Sequence, residues 1–177
     1  MAMDTETTTL EKDQEPVCSV CIANFNGGDV LVSCLESVLR QDFAQPVEII
    51  VHDDASTDGS VTIIRDKYPG VRLIRSDCNV GFCVSNNRMV AAAKGKFILL
   101  LNNDAELHTD ALSKLFNYSV RENIDGIIGL PQYDMQTGEL IDIGSLFDPF
   151  LNPIPNQNKN CQHVGMVTGA CMWFPRK

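Results

Sequence analysis

The sequence predicts an α/β fold, a mostly parallel sheet flanked by helices. Three observations carry that prediction. Short apolar runs alternate along the chain with segments whose apolar residues recur at helical spacing. The runs are apolar at successive positions rather than at every second one, the pattern of strands covered on both faces. Amides, carboxylates and glycines follow the runs, and in such a sheet ligands bind beyond the carboxyl ends of the strands.

Residues 1–15 are polar and acidic, with Thr7, Thr8 and Thr9 in a row, and predict a disordered tail before one domain over 16–177. Residues 17–23 form the first strand. Leu31, Cys34, Leu35, Val38 and Leu39 then fall on one helical stripe. Residues 47–51 give a second strand and 60–68 a second helix, closed by Pro69 and Gly70. A third strand follows over 71–74. The alanine-rich segment 84–94 gives a third helix, ended by Gly95. Residues 97–101 form a fourth strand, 109–121 a fourth helix capped by Thr109, and 124–130 a fifth strand.

Beyond Pro131 the pattern changes. Thr137 and Gly138 predict a hairpin turn, residues 149–162 a loop rich in Pro and Asn, and 164–174 an apolar strand. That strand has little chain after it to pack against. The expectation is a fold cut short, with an incomplete second half.

Composition narrows the function. Hydrophobic residues make up 44% of the 177, enough for a buried core. Lys and Arg number 14 against 23 Asp and Glu, a net charge of −9, which argues against a nucleic-acid polymer as partner. A small phosphorylated ligand stays compatible, held by backbone N–H groups or a metal ion. The longest apolar run, 97–101, is far too short for a transmembrane segment, and no signal peptide opens the chain. Seven scattered cysteines, an odd number, predict reduced thiols and a cytoplasmic protein. Cys18 and Cys21 lie three apart in a strand and so face opposite ways, and Cys161 with His163 is only a partial zinc pattern. The cysteines therefore read as structural.

The strand exits carry the chemistry. They are Asn24-Phe25-Asn26-Gly27-Gly28, then His52 followed by Asp53-Asp54-Ala55-Ser56-Thr57-Asp58-Gly59, then Ser76-Asp77-Cys78-Asn79-Val80-Gly81, then Asn102-Asn103-Asp104. Thr57, Asp58 and Gly59 read first as a helix cap, Asp110 as another, and His52 as a packed histidine. The adjacent carboxylates Asp53 and Asp54 repel one another unless a cation or hydrogen-bond donors offset them. Asp104 leaves the most apolar strand of the chain. Carboxylates and amides at one edge suit a nucleotide-type ligand with a divalent metal.

Four blocks then occur in order: VCSVCIANFN over 17–26, IIVHDDASTDGS over 49–60, Asn79-Val80-Gly81-Phe82 through Asn86-Asn87, and FILLLNND over 97–104. Together they resemble family 2 glycosyltransferases, rhamnosyltransferase-like, with the GT-A (nucleotide-diphospho-sugar transferase) fold, a Rossmann-like sheet. The resemblance runs from about Val17 to the C-terminus. It implies transfer of a sugar, with inversion, from a nucleotide-sugar donor to a hydroxyl of a glycan or other acceptor. Ala23, Asn24 and Phe25 would hold base and ribose. Asp53 would contact the nucleoside, with Asp54 beside it, and Gly81, Asn87, Asn102 and Asn103 would complete the donor site. Asp104 matches the last residue of the family's Asp-x-Asp-type motif and would bind Mg²⁺ or Mn²⁺, which stabilises the departing diphosphate.

Three departures accompany the resemblance. Asn102-Asn103-Asp104 keeps one carboxylate where many relatives have two, and Asn86 stands where many carry an Arg. The segment 169–176 looks like the one that leads towards the acceptor half, where a later carboxylate pair supplies the base in relatives, so no catalytic residue is assigned. The alternatives are a catalytically incomplete nucleotide-sugar-binding fragment, or a subunit completed by another chain, and a nucleotidyltransferase with a similar sheet.

Overall fold

The computed structural model describes residues 15–161 and 164–177. The tail expected over 1–15 lies outside these, apart from Glu15, as does His163 of the partial zinc pattern. The elements are β1 (Cys18–Asn24), α1 (Gly28–Leu39), β2 (Val47–Asp53), α2 (Ser60–Lys67), β3 (Arg72–Arg75), α3 (Phe82–Ala92), β4 (Phe97–Asn102) and α4 (Ala111–Arg121). Then come β5 (Gln132–Tyr133), β6 (Leu140–Asp142), β7 (Ser145–Phe147), β8 (Pro153–Pro155) and β9 (Cys171–Pro175).

The main sheet has the order β3-β2-β1-β4-β9. Its first four strands are parallel, and β9 runs antiparallel to β4. Successive strand residues feed two cores. Cys18, Val20 and Ile22 pack with Leu31 and Leu35 of α1, Ile64 of α2, and Leu112 and Leu115 of α4. Cys21, Ile50, Ile98 and Leu100 pack with Met89 of α3 and Ala93. The two cysteines of the C-x-x-C pattern therefore lie in different layers. Burial pushes the Cys21, Cys34 and Cys171 thiols up to about 12, and raises Cys18 too. Such thiols are inert.

Several expectations change. Residues 124–130 do not form a strand. Ile128 alone makes a bridge, exchanging backbone hydrogen bonds of 2.8 and 2.9 Å with Trp173. Gly126 and Gly129 interrupt the run and weaken it as a strand. The place beside β4 goes instead to β9, which is confined to Cys171–Pro175 of the apolar segment that starts at 164. The expectation that this strand lacks packing is also corrected. Trp173 is fully buried, stacks on Phe97 at 5.0 Å between ring centroids, and donates from Nε1 to Ser119 Oγ (2.8 Å).

The loop expected over 149–162 contains β8, paired with β7. The hairpin turn at Thr137-Gly138 joins β5 and β6, with Gly138 at φ +70°. Thr109 does not cap α4. Asp110 holds the N-cap position, and its carboxylate bonds Lys114 Nζ (2.7 Å) and His108 Nδ1 (2.8 Å) rather than a backbone N–H. The helix α3 ends at Ala92, before Gly95. That glycine serves a close approach, since a Cβ on it would lie 2.4 Å from Ser19 N. Among the described residues no helix is long and apolar enough to cross a membrane.

Candidate functional site

The shared register brings the strand tips level. Asn24 pairs with Asp53 across β1 and β2, and Ala23 with Asn102 across β1 and β4. Asn24, almost fully buried, then ties the tips together through its side chain. Its Nδ2 donates to Asp53 Oδ2 (3.1 Å) and Ser56 Oγ (3.2 Å), and its Oδ1 accepts from Asn103 Nδ2 (3.0 Å). Gly27 passes beneath this amide pair. A Cβ there would lie 2.1 Å from Asn24 Oδ1 and 2.4 Å from Asn103 Nδ2, so the arrangement requires glycine.

The neighbouring carboxylates are both buried, and donors offset them. Asp53 takes the Asn24 amide and, on Oδ1, the Ser56 N–H (3.1 Å). Asp54 takes the N–H groups of Val80 and Gly81, both at 2.8 Å, and so fastens the β3–α3 loop to the tip of β2. Ala55, directly after Asp54, sits at φ +65°, a left-handed conformation that costs a non-glycine residue about 1–2 kcal/mol. Asp58 spans two helix starts. Its Oδ2 accepts from Gly28 N (2.8 Å) at α1, and its Oδ1 from Ser60 N (3.0 Å) at α2. The Ser60 hydroxyl is the chief cause holding the Asp58 carboxyl below its usual range. Of the expected cap residues, Gly59 occupies the N-cap position, and Thr57 bonds Asn26 Oδ1 from its N–H (2.8 Å).

The other expected site residues stand as follows. Phe25 is half exposed beside this network. The Ala23 side chain packs into the α3-side core, leaving only its backbone at the rim. Gly81 starts α3 at φ +86°. Asn102 and Asn103 are half-buried, and Asn87 is exposed on α3, outside the hydrogen-bonded network. Asp104 is exposed, and among the described residues no hydrogen bond reaches its carboxylate. No group of three or more His, Cys, Asp or Glu among the described residues is placed to hold a metal ion. One free carboxylate fits Mg²⁺ or Mn²⁺ only where phosphate oxygens and water supply the other ligands, a common setting for Mg²⁺.

Two features escaped the sequence reading. The Ser56 hydroxyl joins Asn24 to the Asn26 N–H (2.9 Å), and its one visible signal is Asp53-x-x-Ser56, an Asx-turn spacing. The second is a polar trio beneath the rim. His52 is fully buried, and its Nε2 lies 3.3 Å from Ser76 Oγ and 3.4 Å from Arg88 Nη1. Arg88 Nη1 donates to Ser76 Oγ (2.5 Å), while among the described residues His52 Nδ1, which is buried, has no partner. Burial pushes the His52 pKa below its usual value; the Asp54 and Asp53 charges oppose that shift, and Arg88 adds to it.

Comparison with known proteins adds the following. A family model described as "Glycosyl transferase family 2" matches residues 19–177. The uncharacterized glycosyltransferase YibD of Escherichia coli (strain K12) is 34% identical over 110 residues, covering 60% of this chain and 31% of its own length. A crystal structure of S. aureus TarS 1–349 in complex with UDP-GlcNAc is similar at a TM-score of 0.60 and 23% identity, over 69% of this chain and 36% of that one. The mannosyltransferase PcManGT from Pyrobaculum calidifontis, in complex with GDP-Man and Mn²⁺, is similar at a TM-score of 0.66 and 17% identity, over 92% of this chain and 45% of that one. This chain thus spans less than half the length of each. The two structures show a shared GT-A sheet and helix arrangement.

Proposed function

This chain belongs to glycosyl transferase family 2, and from that premise we propose that it binds a nucleotide-sugar donor along the strand tips and takes part in sugar transfer to an acceptor hydroxyl, with inversion. The observation that carries the reading is the Asn103–Asn24–Asp53 chain of hydrogen bonds, which makes one continuous polar edge from β4 to β2. Base and ribose lie over Asn24, Phe25 and Asp53, with the Ala23 backbone beneath. Each Asp53 oxygen keeps a lone pair beyond the bond it already accepts. Asp54 acts on the donor through the loop that it holds, setting Gly81 and the start of α3, with Asn87 about one and a half turns further on. Asn102 and Asn103 line the diphosphate end.

Asp104, with phosphate oxygens, holds Mg²⁺ or Mn²⁺. When bound, the cation offsets the charge that gathers on the leaving diphosphate. The neighbours solved with UDP-GlcNAc and with GDP-Man and Mn²⁺ support a donor of this class. Glycan assembly in the cytoplasm suits a chain whose Cys18, Cys21, Cys34 and Cys171 are buried thiols.

Calorimetric titration with UDP-GlcNAc and GDP-Man, with and without Mn²⁺, tests the reading. The expected result is metal-dependent binding that Asp104→Ala abolishes. Unchanged affinity in Asp104→Ala removes Asp104 from the site. Binding without release of nucleoside diphosphate in the presence of hydroxyl acceptors favours a donor-binding subunit that another chain completes.

A further inference from the structure

Arg88 is the seventh residue of α3, yet its guanidinium stands at the rim. Helical side chains lean towards the helix N-terminus, and α3 starts at the rim, where Asp54 holds Gly81. Arg88 bonds Ser76, the first residue past β3, whose N–H donates to Asp53 O (3.0 Å). The guanidinium is therefore level with Asp53 and Asp54, at the tips of β2 and β3. Among the described residues only Nη1 is engaged. Nε and Nη2 meet no acceptor among the described residues, and the side chain is exposed. Ser76 and the buried His52 fix the fork from behind.

The sheet order places β3 three strands from β4, a separation of about 14 Å at the usual inter-strand spacing. On the donor reading above, a diphosphate at Asp104 sends ribose and base across β1 and β2. The far edge of the base then meets the tip of β3. A guanidinium only donates hydrogen bonds. At the exocyclic position uracil presents O4 and guanine O6 as acceptors, where cytosine and adenine present an amino group; N7 is common to both purines and does not discriminate. Two donors facing each other leave both unsatisfied.

We propose that Arg88 reads the donor's base and selects uracil or guanine nucleotides over cytosine or adenine nucleotides. The inference rests on the donor reading and deepens it. Titration of the protein with UDP, GDP, CDP and ADP in the presence of Mn²⁺ tests both. The wild-type protein is expected to bind UDP or GDP about tenfold more tightly than CDP and ADP. Arg88→Met keeps helix propensity and is expected to close that gap without weakening CDP or ADP. Ser76→Ala frees the fork but keeps its charge, and is expected to narrow the gap in part. An equal loss for all four nucleotides in Arg88→Met, or a gap that persists, overturns the inference alone. If the wild-type protein binds none of the four, the donor reading falls and the inference with it.

Discussion

The two halves of the chain are ordered by different means. Between residues 18 and 102 the strands are four to seven residues long, share one register and are packed on both faces. Between 124 and 170 the strands have two or three residues and pair two by two, outside the main sheet. Met135, Phe150 and Leu151 there are 71%, 85% and 77% exposed. Carboxylates organise this second region. Asp134 accepts from the N–H groups of Gln136 and Thr137, Asp148 from those of Phe150 and Asn152, and the buried Asp142 from those of Gly144 and Asn156. Apolar burial sets one region, and local turn chemistry the other. A polar rim needs a rigid base, and only the first region supplies it.

The strongest way to break the contrast is through the residue that joins the two regions. Trp173→Ala removes a ring packed between β4, Ile128 and Ser119, and is expected to cost about 3–5 kcal/mol in urea-induced unfolding. A loss below about 1 kcal/mol would mean that β9 contributes little to the sheet. Next comes Gly95→Ala, whose Cβ meets the Ser19 backbone. We expect a cost of about 1–3 kcal/mol by the same measurement.

Gly27→Ala strikes the rim more than the core. It forces Asn24 and Asn103 apart and is expected to weaken donor binding about tenfold, the equivalent of one hydrogen bond. Titration with UDP or GDP reads it, and unchanged affinity would detach the amide pair from binding. The pH response is smaller. His52 in the folded protein titrates below its usual 6.5, so the unfolded chain takes up the proton first as pH falls. Stability is complete above that value and declines as pH drops from 6.5 towards the depressed pKa. Asp58, Asp134 and Asp148 have lowered pKa values and lose stability on acidification as well, at lower pH. The slope just below 6.5 should therefore flatten in His52→Asn, and an unaltered slope would exclude His52 as its source. Gly126→Ala, with open space around the new methyl, should shift stability by less than about 0.5 kcal/mol.

The first region was legible because continuous apolar runs and helical stripes report burial directly. Residues 97–101 and the stripe from Leu31 to Leu39 need no partner to be recognised. The second was not, because a run such as 124–130 announces that it is apolar but not whether a neighbour will accept its backbone. The antiparallel β9 depends on pairing between Leu99 and Trp173, and no local pattern encodes a contact across that distance. The strand tips were legible as polar clusters. That amides of Val80 and Gly81 offset the Asp54 charge was not, since those donors lie 26 and 27 residues further along.

The amide pair at the rim has a polarity, and it is inherited. Asp53 offers only lone pairs, so Asn24 must turn its nitrogen towards β2 and its oxygen towards β4. Asn103 answers with its own nitrogen, and among the described residues nothing engages its carbonyl oxygen. A carboxylate on one strand thereby dictates which way round an amide stands two strands away.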